Sequence, residues 1–427
     1  MSSFSVRKIA FGRDHCLLLF SNGQLGAFGD NEGGQLGIDP RANPKMTKNF
    51  FCFTPEIPIQ DKYEIWDIAC GDNYSLVLVG ANLSSVLVRF GGIITNNNYS
   101  TNPIGMIPNN NGVISSGSTN INNDELIYTD KNTMSDNNVI NVVELDYDNL
   151  SNIAKVYAFE SRSILITGSN DIYVGGVDFH NNRIDDYILV DHIHNDIKSV
   201  GMGLDHVLIL DIEGNLYGLG DGVNGQLGPF SPISVDRPMR ILSDKFNSRI
   251  KKVACGEKHS LILLENGDLY AMGDDHFGQC AGAGDEYGNP IKINFELANK
   301  NNYSFVNNSH NSSIYSNNSK SMRSLMSSNS SVSNATNVNK GHPENIIDIY
   351  SGYNHCLAVA ENRDIYTWGD ASYGKLGYSP DDKVINHPLV VNLLKGKNAT
   401  NIALGKNVSV IITYLYEESL FSMTKTQ

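Results

Sequence analysis

The 427-residue sequence predicts an all-β chain folded as a seven-bladed β-propeller, and three observations carry that reading. One phrase recurs: Gly, two residues, His, an apolar run, a turn, an apolar-aromatic run and a closing Gly. The step from His to closing Gly is 14 residues in all four full copies, Gly12-Arg-Asp-His15 to Gly29, Gly203-Leu-Asp-His206 to Gly220, Gly256-Glu-Lys-His259 to Gly273 and Gly352-Tyr-Asn-His355 to Gly369. Helical periodicity is absent wherever the phrase runs. A fixed internal period decides the architecture before any single residue is interpreted.

Each copy reads as a β-hairpin with more chain attached. In His259-Ser-Leu-Ile-Leu-Leu-Glu-Asn-Gly-Asp-Leu-Tyr-Ala-Met-Gly273, two apolar runs flank Asn266-Gly267, which favours the positive backbone angles of a tight hairpin. Asn22-Gly23, Glu213-Gly214 and Asn362-Arg363 hold the same place elsewhere. Three copies continue into a second glycine phrase, Gly34-Gln-Leu-Gly37, Gly225-Gln-Leu-Gly228 and Gly374-Lys-Leu-Gly377, which reads as a turn feeding a further strand. Degenerate copies at Gly71-Asp-Asn-Tyr74, Phe159-Glu-Ser-Arg162 and Gly405-Lys-Asn-Val408 bring the count to seven. The last of these leads to Leu420-Phe421-Ser422-Met423.

Taking the His position as marker, the copies sit at 15, 74, 162, 206, 259, 355 and 408, and two of the intervals are too long. Those two hold Asn- and Ser-rich stretches with few apolar residues, which cannot offset chain entropy by burial and are expected to be disordered insertions. The expected organisation is one propeller over residues 1–427 with insertions at 96–140 and 299–341, leaving no length for a second domain. Closing the ring is expected to bring the first and last copies into neighbouring or shared sheet.

Composition narrows the function. The amino terminus lacks the pattern of a signal peptide, and no apolar run reaches the length of a membrane span, so an intracellular, reducing location is expected. The formal charge of −14 argues against a protein that coats nucleic acid. Six cysteines form no CxxC pair; Cys70 and Cys255 precede the repeat Gly, and Cys16 and Cys356 follow the repeat His, which makes them core residues of equivalent blades. Gly220-Asp-Gly222-Val-Asn-Gly225 matches a dinucleotide motif, yet its glycines belong to the repeat and no helix follows. Asp191-His-Ile-His194 offers two metal ligands without a third and reads as a solvated loop. No metal site, no cofactor and no bond-making catalytic constellation is expected.

The phrase as a whole, Gly-x-x-His, an apolar strand, Asp-Leu-Tyr-Ala-Met-Gly or Asp-Ile-Tyr-Thr-Trp-Gly, then Gly-Gln-Leu-Gly, resembles the regulator of chromosome condensation repeat family. The resemblance implies a seven-bladed propeller used as a protein-binding platform. The founding member exchanges guanine nucleotide on the small GTPase Ran and docks on nucleosomes. For this chain the resemblance implies a monomeric protein with a protein partner, most specifically a Ran-type small GTPase, and a nuclear location if exchange holds. It implies an exchange face formed by the loops around the repeat His, with Asp72, Asp205, His206, His259 and His355 in those loops. The resemblance also implies a protruding wedge, for which Gly91–Gly105, including Asn97 and Asn98, is the candidate; the alternative is that this stretch is only the start of the Asn-rich insertion. The chain departs from the founder in its acidic charge, in lacking a basic amino-terminal tail, and in the extra degenerate copy at Arg162. Trp66 and Trp368 alone do not make the tryptophan cluster of the plant ultraviolet-B photoreceptor, another relative. The structural alternative is that His15, His206, His259 and His355 are hydrogen-bonded turn supports, and that Asp14 and Asp205 cap turns.

Overall fold

The structure is a computed structural model and describes residues 5–38, 47–53, 63–81, 84–91, 107–108, 114–115, 141–143, 152–229, 234–242, 245–282, 288–295, 345–378 and 383–414. Six antiparallel four-stranded sheets span residues 6–53, 64–143, 153–192, 197–241, 250–292 and 346–390. From the seventh copy come two paired strands, Asn398–Leu404 and Ser409–Tyr414. Seven full blades are expected from the repeat count, whereas the described residues form six full sheets and one hairpin. The part of the seventh copy beyond Tyr414 lies outside the described residues. So do the two insertions, apart from a short pairing of Ile107–Pro108 with Ile114–Ser115.

Each sheet's first strand packs on the first strand of the next sheet. The order is Val6–Phe11, Glu64–Cys70, Ile153–Phe159, Ile197–Met202, Ile250–Cys255, Ile346–Ser351 and Asn398–Leu404, and the last returns to Val6–Phe11. Among the described residues the ring therefore closes through neighbouring sheets, not through a shared one. Every one of these strands carries a bulge at the same place, between Val6/Lys8, Ile65/Asp67, Ile153/Lys155, Ile197/Ser199, Ile250/Lys252, Ile346/Asp348 and Ala399/Asn401. A bulge inserts one unpaired residue and bends its strand. Its recurrence in Asn398–Leu404 makes the seventh hairpin a true copy of the unit.

The hairpins follow the sequence. At Asn266-Gly267 the glycine takes φ +81°, and the Asn266 Oδ1 accepts from the Asp268 amide at 3.1 Å. His259 pairs with Gly273 and Leu263 with Leu269, the register that the 14-residue step requires. A fourth glycine phrase is masked in the sequence: Gly278-Gln279-Cys280-Ala281 makes the same turn as Gly34-Gln35-Leu36-Gly37, with Ala281 at φ 59° where the others have glycine. Cys and Ala in place of Leu and Gly hide it.

Apolar residues collect between sheets, and each of the seven junctions has its own cluster. Leu36, Ile68, Val77 and Phe90 lock sheet 1 to sheet 2, and Cys280, Phe295, Tyr366 and Trp368 lock sheet 5 to sheet 6. The two junctions of the seventh hairpin are the thinnest, with Ile9, Cys16 and Leu18 fully packed on one side and Leu357, Ile365 and Val391 on the other.

Candidate protein-binding face

The loops between first and second strands all emerge at one end of the ring. Six of the seven begin with the repeat Gly, whose amide donates to the marker carbonyl, as Gly256 does to His259 at 2.9 Å. The residues next after that Gly slot are Arg13, Asp72, Glu160, Leu204, Glu257, Tyr353 and Lys406. Neighbouring loops are tied by backbone: the Asp72 amide donates to the Glu160 carbonyl at 2.9 Å, Leu204 to Glu257 at 3.1 Å, and Glu257 to Tyr353 at 2.8 Å. The slot thus presents five charged side chains of both signs together with Leu204 and Tyr353 at this end of the ring.

Electrostatics there are tight. Arg13 lies 3.4 Å from Asp72, and Lys406 stands 5.1 Å over the Tyr353 ring. Burial pushes the carboxyls of Asp72 and Glu160 up, and Asp72 raises Glu160 further. The Tyr353 hydroxyl is also raised, first by burial and then by Glu160 and Asp72. Phe159 of sheet 3 meets Tyr353 of sheet 6 at 4.6 Å between ring centroids, so aromatic rings join opposite sides of the axis.

Phe159 stands where other copies have glycine, and the reason is local. A Cβ at Gly12, Gly203, Gly256 or Gly352 would collide with the imidazole of its own copy and with the next loop's glycine carbonyl. The third copy has Arg162 in place of His, which removes the first of these obstacles. Arg162 instead donates to the carbonyls of Val177, Asp178 and Leu204 and pairs with Asp205 at 3.4 Å.

The repeat histidines are buried and bind the ring from within. His15 Nε2 lies 2.9 Å from Ser75 Oγ, His206 from Ser260 and His355 from Ser409, each serine belonging to the following sheet. Those hydroxyls already donate back to the carbonyls of Gln35, Gln226 and Lys375 at 2.8, 2.8 and 2.7 Å. A hydroxyl has one proton, so the imidazole must be the donor and carry its proton on Nε2. At sheet 6, Cys356 takes the serine's place, with its Sγ 3.1 Å from His259 Nε2 and Ser351 Oγ at 2.9 Å. The Nδ1 atoms of all four are buried without a partner.

Of the residues that the sequence points to, Asp72 and Asp205 do lie in this ring of loops, but each is paired within the molecule, to Arg13 and Arg162. His206, His259 and His355 are fully buried, and each is hydrogen-bonded to the following sheet. Asn97 and Asn98 lie outside the described residues. Glu160, Glu257, Tyr353 and Lys406 are additions that the repeat did not single out, although the slot after the repeat Gly is readable in every copy. The five described cysteines, Cys16, Cys70, Cys255, Cys280 and Cys356, are free and buried. His192 bonds Asp171 at 2.9 Å, and among the described residues no group of three metal-ligating side chains gathers.

Family models described as the regulator of chromosome condensation (RCC1) repeat match residues 6–35, 250–279 and 346–375, and again 213–263 and 364–412. Human E3 ubiquitin-protein ligase HERC2 is 27% identical over 218 residues, 48% of this chain and 4% of that protein. The Xenopus laevis RCC2 homolog is 28% identical over 241 residues, 54% of this chain and 41% of that protein. The chain thus spans less than half the length of these relatives. Among solved structures, human WBSCR16 superposes with a TM-score of 0.64 at 15% identity over 97% of this chain and 89% of its own. Prp20p of Saccharomyces cerevisiae, described with its binding to Gsp1p and histones, gives 0.64 at 18% identity over 96% and 82%.

Proposed function

We propose that the chain, which carries regulator of chromosome condensation repeats, works as a protein-binding platform whose partner docks on the loop end of the axis. The observation that carries this reading is the exposed apolar surface at that end. The turns after the third strands share it, because the Asp221, Asp274 and Asp370 amides donate to the carbonyls of Asp205, Lys258 and Asn354. On those turns Val223, Phe277 and Tyr373 are 71%, 41% and 82% exposed. Apolar tips on three successive sheets, beside the charged ring, are the composition of a protein interface. Replacing all three by Ser is expected to abolish partner capture while leaving the melting temperature unchanged; equal capture by the triple variant moves the interface to another face.

The more specific form of the proposal is guanine-nucleotide exchange on a Ran-type GTPase. It is supported by likeness to Prp20p and by the place of Asp72 and Asp205 in the loops. An exchange factor must bind the nucleotide-free GTPase more tightly than the loaded one. The full chain is expected to accelerate release of labelled GDP, and Asp205→Asn to slow that release at least about tenfold, a loss of about 1.4 kcal/mol in transition-state binding. No stimulation across a panel of Ran-type GTPases leaves a scaffold without exchange activity.

A further inference from the structure

Each first strand presents two side chains at its bulge, the extra residue and the one after it. They lie at the end of the axis opposite the repeat-Gly loops, where the hairpin turns are. Because the first strands pack on one another all the way round, these two positions circle the mouth of the axis. Contacts between neighbours hold them there. Arg7 donates to the Ile65 and Trp66 carbonyls of sheet 2 at 3.2 and 3.3 Å, and Lys198 to the Ile250 carbonyl of sheet 5 at 3.4 Å. Lys8 pairs with Asp67, whose other oxygen accepts from the Val156 amide of sheet 3 at 3.1 Å, and Lys252 pairs with Asp348.

The charge of this ring is opposite to that of the chain. Its extra residues include Arg7, Lys198 and Lys251 and no carboxylate, and the residues after them add Lys8, Lys155 and Lys252 against Asp67 and Asp348. Six cations thus meet two carboxylates in a protein of net charge −14. Both carboxylates are already taken by Lys8 and Lys252, and Lys198 is taken by Glu265 at 3.0 Å. Arg7, Lys155 and Lys251 have no carboxylate partner among the described residues. In the order of sheets Trp66 stands between Arg7 and Lys155, and Ile347 follows Lys251; the two are 37% and 38% exposed. Trp66 lies across Gly80, where a Cβ would strike its ring. Carboxylates return outside the ring, at Glu64 and Asp196 near the strand starts and at Glu213 and Glu361 on the turns.

We propose that this mouth binds an acidic peptide segment of a partner protein, with its carboxylates on Arg7, Lys155 and Lys251 and an apolar side chain against Trp66 or Ile347. Charge complementarity selects an anion, and the exposed indole and Ile347 select one that carries apolar groups between its acids. The outer carboxylates select a narrow one. A nucleic-acid duplex, with phosphates spread along both strands, would lie over Glu213 and Glu361, whereas a single extended chain entering at the axis clears them. This site is separate from the apolar tips at the loop end, so each end of the ring has its own partner chemistry.

Fluorescence anisotropy of a labelled peptide of Asp and Glu with interspersed Leu, titrated with the full chain, tests this. Binding is expected at about 50 mM NaCl and to weaken at least about fivefold at about 300 mM, because salt screens exposed charges. Lys155→Glu and Lys251→Glu are each expected to weaken it at least about tenfold with the melting temperature unchanged. Lys383→Glu, an equal change of charge at the loop end of sheet 6, is expected to leave it unchanged. No binding by the parent chain, unchanged binding in the Lys155 and Lys251 variants, or an equal loss in Lys383→Glu overturns the proposal. Tighter binding of a labelled DNA duplex than of the peptide, lost in the Lys155 and Lys251 variants, overturns it as well and assigns the mouth to nucleic acid.

Discussion

Lowering the pH from 7 is expected to unfold the ring cooperatively with a midpoint at about pH 5. Burial pulls His15 and His259 down to about 4, and His206 and His355 down to about 3. The geometry gives the cause: each Nε2 proton is committed to a neighbour, and a second proton would sit on a buried Nδ1 with nothing to accept it. A folded pKa below the unfolded value near 6.5 confers stability above 6.5, which is lost as pH falls toward the folded value. Each imidazole then forfeits about 1.4 kcal/mol per pH unit, or about 8 kcal/mol for the four together at pH 5. That lies within the usual domain stability of about 5–15 kcal/mol. Asp72 and Glu160, raised by burial, act in the opposite sense. Near-ultraviolet circular dichroism against pH reads the transition, and His206→Gln is expected to flatten its pH dependence. A melting temperature that stays level from pH 7 to 4.5 contradicts the account.

Gly256→Ala is expected to cost about 3 kcal/mol or more, the upper range for an overpacked site. The new methyl would run into the His259 imidazole and lie 2.6 Å from the Gly352 carbonyl, which is fixed backbone of the next sheet. Gly214→Ala is the control, because a Cβ there meets nothing within 4 Å and only its φ of +91° opposes the change. Its cost is expected to be about 1–2 kcal/mol. Denaturant titration of both variants ranks them. Equal midpoints would mean that the loops shift to make room and that the glycine serves only the chain's conformation.

Sheets, hairpins and their registers were legible because spacing alone encodes them. The His-to-Gly step of 14 is the pairing of His259 with Gly273, and Asn266-Gly267 is the turn between. The bulge in each first strand was not legible, since the extra residue is Arg7 in one copy, Trp66 in another and Ala154 in a third. No residue type signals it. The chemistry of the loop end was legible in position but not in partnership. Asp205 looked free in Gly-Leu-Asp-His, and only the fold brings Arg162 of the preceding sheet to it. The histidines drew attention as surface candidates because a sequence cannot show that a following sheet covers them.

The polar links from the marker position, four of them from histidine and the others from Tyr74 and Arg162, run one way round, each from a sheet to its successor, and Val408 breaks the series. At the junction of the seventh hairpin with sheet 1, the contact is made by Phe11, Cys16 and Leu18 against Ala403, Val410 and Ile412, with no imidazole across it among the described residues. The first and last described strands belong to the two sides of this same junction. Tension between them is therefore carried by one thin apolar contact, while six polar-linked or thickly packed junctions remain slack. Under load between those strands the ring is expected to open at this junction first, like a bracelet at its clasp.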